Sequence, residues 1–335
     1  MKSKNISVLG GGSWGTVLAN LVSCKQHNVT FWMRDSVVVE EVNKSKRNSK
    51  YLPELKLEGN INATDDISLI SNSEMIIFCI PSDSFREVSK AASKYINENV
   101  QLVTATKGVE KDKFNLMSQV LNEHMKNNPV GILSGPNLAQ EIATKQLSGT
   151  VIASKDKTLQ KNVIDILESD FFRVYENDDP YGVEMGGAIK NIYAIACGVA
   201  NGLNSGENTV GMIMTRGLGE MSRLAVELGA NPQTFLGLSG VGDLITTCAS
   251  PLSRNHKFGK YIGEGLSVEN ATEKIGQTVE GLKTLKVIKA LSDERNINMP
   301  IVDSLYKIIY KGENLNGSIQ NILGEDMIKD VEFSK

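Results

Sequence analysis

Lys190 lies in the run Gly186-Gly187-Ala188-Ile189-Lys190-Asn191, among apolar and small residues that repeat at helical spacing. That spacing sets the lysine over the two glycines one turn back, with Ala194 one turn ahead on the same face. Glycine inside a helix costs about 1 kcal/mol relative to alanine, so a double glycine here implies a neighbour packed close against the backbone. An ammonium in such surroundings loses hydration, and its pKa falls toward the range useful for moving protons; the competing reading is a lysine that snorkels to solvent. Asn191 beside it can donate or accept a hydrogen bond. Lys107 follows an apolar strand in Thr104-Ala105-Thr106-Lys107-Gly108, where it can orient a substrate or cofactor oxygen. Asp243 and Thr247, one helical turn apart, share a face and can meet substrate hydroxyls. Arg254, between Ser253 and Asn255, is suited to clamp a phosphate bidentately. Together these residue types suit proton transfer beside a bound anion.

A second constellation opens the chain. Ile6, Val8 and Leu9 form an apolar strand that runs into Gly10-Gly11-Gly12-Ser13-Trp14-Gly15, and Trp14, Val17, Leu18, Leu21 and Val22 continue at helical spacing. Strand, glycine turn and helix in that order are the context of a dinucleotide fingerprint. Gly10 takes the tight turn, Gly12 lets a pyrophosphate approach the backbone, and Gly15 lets the helix pack on the strand. The phosphates would rest on unpaired N–H groups at the helix N-terminus. About 20 residues further on, where an acid holds the ribose of NAD or an arginine accommodates the 2′-phosphate of NADP, the chain has Arg34-Asp35. Arg34 can stack on adenine or pair with phosphate and Asp35 can point either way, so NAD and NADP both stay open.

The elements that position these groups change character along the chain. Short apolar runs alternating with amphipathic stretches predict an α/β protein with a mostly parallel, doubly wound sheet. Strands are expected at Val29 to Met33, Met75 to Ile80, Val100 to Thr104, Val130 to Leu133, Thr150 to Ala153 and Phe171 to Tyr175. Pro81 ends its strand, with Ser82-Asp83 expected to cap the next helix, and the loops at Gly10, Arg34, Pro81, Lys107 and Gly135 should face one crevice. After Asp178-Asp179-Pro180 helical periodicity takes over, so a dinucleotide-binding domain is expected over 1–180 and an all-α substrate-binding domain over 181–335.

Bulk properties bound the partners. The chain has 335 residues, is 41% hydrophobic and 22% charged, and carries a net charge of -3, so no basic field points to nucleic acid or an anionic membrane. Met1-Lys2-Ser3-Lys4-Asn5 leads straight into the first strand and no apolar run approaches ~18 residues, which predicts a cytoplasmic protein with no stable membrane insertion. Cys24, Cys79, Cys197 and Cys248 form no C-x-x-C pair and are expected to be reduced and mostly buried, with no metal site. His27, His124 and His256 lack serine or cysteine partners for a triad, and His256 reads as a solvated loop residue.

Six segments together resemble one family: Gly10 to Thr16, Ala105-Thr106-Lys107-Gly108, Ser134-Gly135-Pro136, Gly186 to Asn191, Gly242 to Cys248, and Ser253-Arg254-Asn255. It is the NAD(P)-dependent glycerol-3-phosphate dehydrogenase family in its bacterial form, and the resemblance runs nearly end to end. It implies reversible reduction of dihydroxyacetone phosphate to sn-glycerol 3-phosphate for glycerophospholipid synthesis, in a homodimer whose all-α domain is of the 6-phosphogluconate-dehydrogenase type. By family pattern Lys190 matches the general acid/base. Lys107, Gly135, Asn191, Asp243, Thr247, Ser253, Arg254 and Asn255 match substrate-site positions. Gly10, Gly12, Ser13, Trp14, Gly15, Arg34, Lys107, Gly135, Asn137, Ala139, Arg254, Val279 and Glu280 match cofactor contacts. Asn137 stands where relatives often carry serine or threonine, and Gly11 where alanine is common. A related hydroxyacid or sugar-acid phosphate dehydrogenase is the alternative enzyme, against which the Gly242 to Thr247 segment argues. A non-catalytic dinucleotide sensor is the alternative from another class, and it would have no need of a desolvated lysine.

Overall fold

Side chains alternate across a strand, and in the first strand both faces are buried. The computed structural model describes residues 3–110 and 113–314, so Met1-Lys2 and residues 315–335 of the expected helical domain lie outside the described residues. Two compact units emerge. One comprises the chain up to Thr106 together with Asn115–Pro180; the other comprises Lys107–Phe114 together with the chain from Tyr181 onward. Lys107 thus groups with the helical part of the chain.

The first unit runs β1 (Asn5–Leu9), α1 (Ser13–Cys24), β2 (Asn28–Trp32), α2 (Ser36–Ser45), β3 (Arg47–Asn48), β4 (Leu52–Lys56), β5 (Ile61–Thr64), β6 (Met75–Phe78), α3 (Ser82–Ala92), β7 (Gln101–Thr104), α4 (Met117–His124), β8 (Val130–Ser134), α5 (Ala139–Ala143), β9 (Ser148–Ala153), α6 (Lys157–Leu167) and β10 (Phe172–Asn177). Eight strands form one sheet in the order β10-β9-β8-β7-β6-β1-β2-β5, while β3 and β4 make a separate antiparallel hairpin. Every pairing in the large sheet is parallel except β8 with β9. Ile6 and Val8 of β1, with Met75 and Ile77 of β6, face a cluster completed by Val17, Leu18 and Val22 of α1 and Leu159, Val163 and Ile166 of α6. Leu9, Ile76 and Phe78 face the opposite cluster, completed by Phe85 and Val88 of α3 and by Met117, Val120 and Leu121 of α4. Helices on both faces explain why these strands read as continuous apolar runs. Each such large aliphatic side chain, once fully buried, contributes about 1.5–3 kcal/mol.

Three differences from the sequence reading have local causes. Strands β3, β4 and β5 lack an apolar run: Arg47-Asn48 is two residues long, β4 carries Pro53 and Glu54, and edge strand β5 has only two apolar residues, Ile61 and Ala63, separated by the exposed Asn62. Pro81 itself occupies the N-cap of α3, with Ser82 and Asp83 already inside the helix. All four cysteines are free, but Cys24 is exposed and Cys79 half-buried, so only Cys197 and Cys248 are buried.

The second unit contains α7 (Pro180–Gly202), α8 (Glu207–Glu227), α9 (Asp243–Ala249), α10 (Arg254–Gly263), α11 (Val268–Ile275), α12 (Glu280–Arg295) and α13 (Pro300–Lys311). Every residue of α7 from Gly182 to Ala200 is buried, which makes it a central helix with no solvent face. Its glycines admit neighbouring backbone. A Cβ on Gly198 would lie 2.1 Å from the His256 carbonyl oxygen, and one on Gly259 of α10 would lie 2.0 Å from that of Ile195. α7 and α10 therefore meet backbone to backbone, at a separation that larger residues forbid.

A buried carboxylate closes this unit. Glu220 of α8 accepts hydrogen bonds from the Ile301 and Val302 amides at 2.7 and 3.4 Å, at the start of α13, and from the Tyr193 hydroxyl at 3.1 Å. It supplies the N-terminus of α13 with an acceptor from another helix. Burial pushes its carboxyl up to about 7 against the partial offset of these donors and of Arg223. A carboxyl that holds its proton more tightly when folded loses stability as pH rises from its ordinary value through about 7. Glu220→Gln, which keeps an acceptor oxygen but cannot ionise, should remove up to about 3 kcal/mol of stability loss between pH 5 and pH 8. Urea unfolding across that range reads it directly, and a parent-like pH slope in the variant contradicts the assignment.

Candidate active site

In the first unit the fingerprint glycines each answer to a different constraint. Gly10 has φ +124, and a Cβ there would lie 2.2 Å from the Cys79 carbonyl oxygen. A Cβ on Gly15 would lie 1.9 Å from the Gly10 carbonyl oxygen, so α1 packs directly on the turn. Gly11 is held to glycine by Met33, whose Cβ would be 2.8 Å away, which accounts for the absence of alanine there. Gly12 differs from these three: a Cβ on it would meet no atom within 4 Å, and as N-cap of α1 it offers no side-chain acceptor to the first N–H groups. Open space in front of uncapped amides is what a pyrophosphate requires, so these residues fit a dinucleotide.

Around the turn, Ser13 Oγ donates to the Tyr51 carbonyl at 3.3 Å, and the ring of Trp14 lies 6.3 Å from that of Phe172. Arg34 and Asp35 follow β2, on the edge where the parallel strands β1, β2, β6 and β8 all end. Gly135, at φ +154, and Ala139, the first residue of α5, lie beyond β8. The Asn137 amide is engaged at both ends, donating to the Gly149 carbonyl at 3.1 Å and accepting from Thr150 Oγ1 at 2.9 Å, and so pins that loop. Asn48 has no signal in the sequence pattern. It is fully buried and donates to the Gly11 carbonyl at 2.9 Å and to Thr16 Oγ1 at 2.8 Å, tying the β3–β4 hairpin to the fingerprint.

In the second unit a single carboxylate organises two lysines. Asp243, the first residue of α9, accepts from Lys190 on one oxygen and from Lys107 on the other at 2.8 Å. Thr247 Oγ1, one turn along α9, bonds Lys190 and lies 3.3 Å from the first Asp243 oxygen. The Lys190 and Asp243 side chains are only 5% and 2% exposed, so this lysine does not snorkel. Burial lowers Lys190 to about 8 from an ordinary 10.5, with Asp243 opposing the shift and Lys107 adding to it. The nearby Cys248 thiol is pushed well up by burial and by its neighbour Cys197, which keeps it neutral.

The remaining polar residues form a rigid frame around α7. Asn255 donates to Asn191 Oδ1 at 2.9 Å and accepts from the Gly281 amide at 2.9 Å, linking α7, α10 and α12. A Cβ on Gly281 would lie 2.7 Å from the Asn191 carbonyl oxygen, a requirement that the sequence alone did not reveal. Ser253 caps α10 through the His256 amide, and Arg254 opens that helix with Nη1 3.5 Å from Gln277 Oε1. Val279 and Glu280 stand at the start of α12. His256 is no solvated loop residue. It is 6% exposed within α10, Nε2 lies 2.9 Å from Asn201 Nδ2, and burial, with Lys260, lowers its pKa.

Comparison with known proteins gives a consistent picture. Residues 5–160 match the family described as NAD-dependent glycerol-3-phosphate dehydrogenase N-terminus, and residues 179–320 match its C-terminus. A protein of Alcanivorax borkumensis is 46% identical over 98% of this chain and 96% of its own length, and one of Saccharophagus degradans is 44% identical over 99% and 94%. Both are named glycerol-3-phosphate dehydrogenase (NAD(P)+). A crystal structure of glycerol-3-phosphate dehydrogenase from Coxiella burnetii superposes with a TM-score of 0.93 at 34% identity, covering 96% of this chain and 99% of that one.

The first glycine of the α7 pair, Gly186, has a structural cause that can be tested. A Cβ on Gly186 would lie 2.6 Å from the Ser239 carbonyl oxygen, in the turn Leu238–Gly242 that leads directly into Asp243. Because the obstacle is backbone, Gly186→Ala should displace that turn, destabilise the protein by about 1–3 kcal/mol and lower turnover at least tenfold with helical content retained. Parent-like turnover and stability, measured by steady-state assay and thermal unfolding, would rule out the close contact.

Proposed function

The chain belongs to the NAD-dependent glycerol-3-phosphate dehydrogenase family, and on that premise we propose that it interconverts dihydroxyacetone phosphate and sn-glycerol 3-phosphate with NAD(P)(H), using Lys190 as the proton-transfer group. The observation that carries the role of Lys190 is its burial against Asp243 and Thr247 with a pKa lowered to about 8. A related hydroxyacid dehydrogenase gains no support, because the relatives at 44–46% identity bear the glycerol-3-phosphate name.

Bound NAD(P)H supplies the hydride; Gly12, the α1 amides, Ser13, Trp14 and Arg34 are the residues that would hold it in the first unit, with Ala139 beyond β8. Negative charge developing on the substrate carbonyl oxygen is met by the Lys190 ammonium, which gives that oxygen its proton. In the oxidation direction the neutral amine takes the hydroxyl proton. Asp243 holds both lysine head groups, so that Lys107 supports the same oxygens while Lys190 exchanges its proton. Arg254 offers a bidentate donor for the substrate phosphate, and Asn255 is fixed beside it by Asn191 and Gly281. Binding the phosphate, remote from the reacting carbon, supplies orientation.

We further infer that the product feeds glycerophospholipid synthesis, that the protein works in the cytoplasm, and that it is a homodimer. Among the described residues no helix is long and apolar enough to cross a membrane, and Met212, Leu236 and Ile245 stand exposed on the helical unit as candidates for subunit contact. Sedimentation at micromolar concentration should give twice the 36.5 kDa chain mass, and a monomer would exclude the dimer.

Steady-state kinetics with dihydroxyacetone phosphate and each reduced cofactor tests the reaction. Lys190→Met should lower kcat at least ~10³-fold while cofactor affinity stays within a few-fold. Reduction requires the ammonium, so kcat/KM for dihydroxyacetone phosphate should fall above about pH 8, whereas oxidation of glycerol 3-phosphate should rise through the same region. Near-normal turnover of Lys190→Met would sink the assignment.

A further inference from the structure

At the end of β2 stands an acid whose two oxygens are already taken. A carboxylate there selects NAD by accepting its ribose hydroxyls. Asp35 Oδ1 instead caps α2, accepting from the Val37 and Val38 amides at 3.2 and 3.4 Å, and Oδ2 takes the Lys50 ammonium at 2.8 Å. Lys50 arrives on the turn between β3 and β4, and Asn48 at the start of that turn is the buried donor to Gly11 and Thr16. Ser13 Oγ adds its bond to Tyr51 on the other side of Lys50. One short segment therefore clasps the fingerprint and delivers a cation to the β2 loop. The neighbouring Arg34 pairs with Glu87 at 3.5 Å, with side chains 55% and 81% exposed. Such a pair contributes at most about 1 kcal/mol and yields readily to a stronger anion.

We propose that Arg34 and Lys50 together recognise the 2′-phosphate of NADP(H), and that Lys50 sets the preference for it over NAD(H). The inference rests on the dinucleotide reading of the fingerprint. A ribose 2′-phosphate is a dianionic monoester with three acceptor oxygens, matched by a guanidinium fork and the remaining N–H groups of an ammonium. Asp35 keeps its place as helix cap and orients Lys50, which offsets its charge. The bare 2′-hydroxyl of NAD gains little from either cation.

Calorimetric titration of the whole protein with 2′,5′-ADP and with 5′-AMP isolates this contact, since neither fragment carries nicotinamide or needs turnover. The parent should bind 2′,5′-ADP at least about tenfold more tightly than 5′-AMP. Lys50→Ala should weaken 2′,5′-ADP about tenfold and 5′-AMP less than twofold, and the NADPH-to-NADH ratio of kcat/KM should drop by a similar factor. Equal weakening of both fragments, no weakening of either, or equal affinity of the parent for the two overturns the proposal. Lys50-dependent discrimination without turnover of dihydroxyacetone phosphate would uphold it while removing the dehydrogenase reading. Normal turnover with no effect of Lys50 would do the reverse.

Discussion

An ammonium buried in a helical core depends on a carboxylate, and the contact of Lys190 with Asp243 is the constraint around which the helical unit is built. Removing a lysine from water favours its neutral form, and a neighbouring carboxylate restores the charged one. With Lys107 on the second carboxylate oxygen the balance lands near neutrality, at about 8. A lysine at its ordinary 10.5 would hold its proton too firmly to accept and return it. Taking away one partner of such a buried pair costs about 3–5 kcal/mol, so the arrangement bears on stability as well as chemistry.

The rest of the helical unit follows from that requirement. α7 must be buried on all sides to desolvate Lys190, and a helix without a solvent face needs neighbours packed around its whole circumference. Gly186, Gly198 and Gly259 allow those neighbours to approach to backbone contact, and the turn that packs on Gly186 is the one that introduces Asp243. Asn191, one residue past the lysine, is tied to α10 and α12 through Asn255, so a loosening of any of these helices reaches the site. The sheet meets a different demand. Its strands β1, β2, β5, β6, β7 and β8 end on one edge, and glycines 10, 12 and 15 respectively make the turn, leave room, and pack the helix.

Much of this is legible in the sequence because the residues involved break local rules. Glycine inside an apolar helix is a cost without local benefit, and Gly186-Gly187 beside Lys190 points to close packing and desolvation, which the structure bears out for the burial of Lys190. Strands with both faces buried also announce themselves as apolar runs. What stays hidden depends on contacts between residues distant in sequence. Glu220 and Tyr193 look like ordinary members of their helices until α13 is placed against them. Asn48 and Lys50 sit in a polar hairpin with no periodicity, and His256 reads as a loop residue because its burial is set by α7. The order of motifs indicates the family; it cannot show that Asp35 caps α2 and pairs with Lys50.

The most direct test of this account is the ionisation of Lys190 itself. Carbon NMR of ε-labelled lysine, with the resonance assigned by loss in Lys190→Met, follows the ammonium of the intact protein without relying on turnover. The titration midpoint should lie at about 8, and it should move lower still in Asp243→Asn, where the carboxylate no longer opposes desolvation. A midpoint at the ordinary 10.5, or one that rises when Asp243 is neutralised, would contradict the claim that burial against this carboxylate sets the lysine for proton transfer.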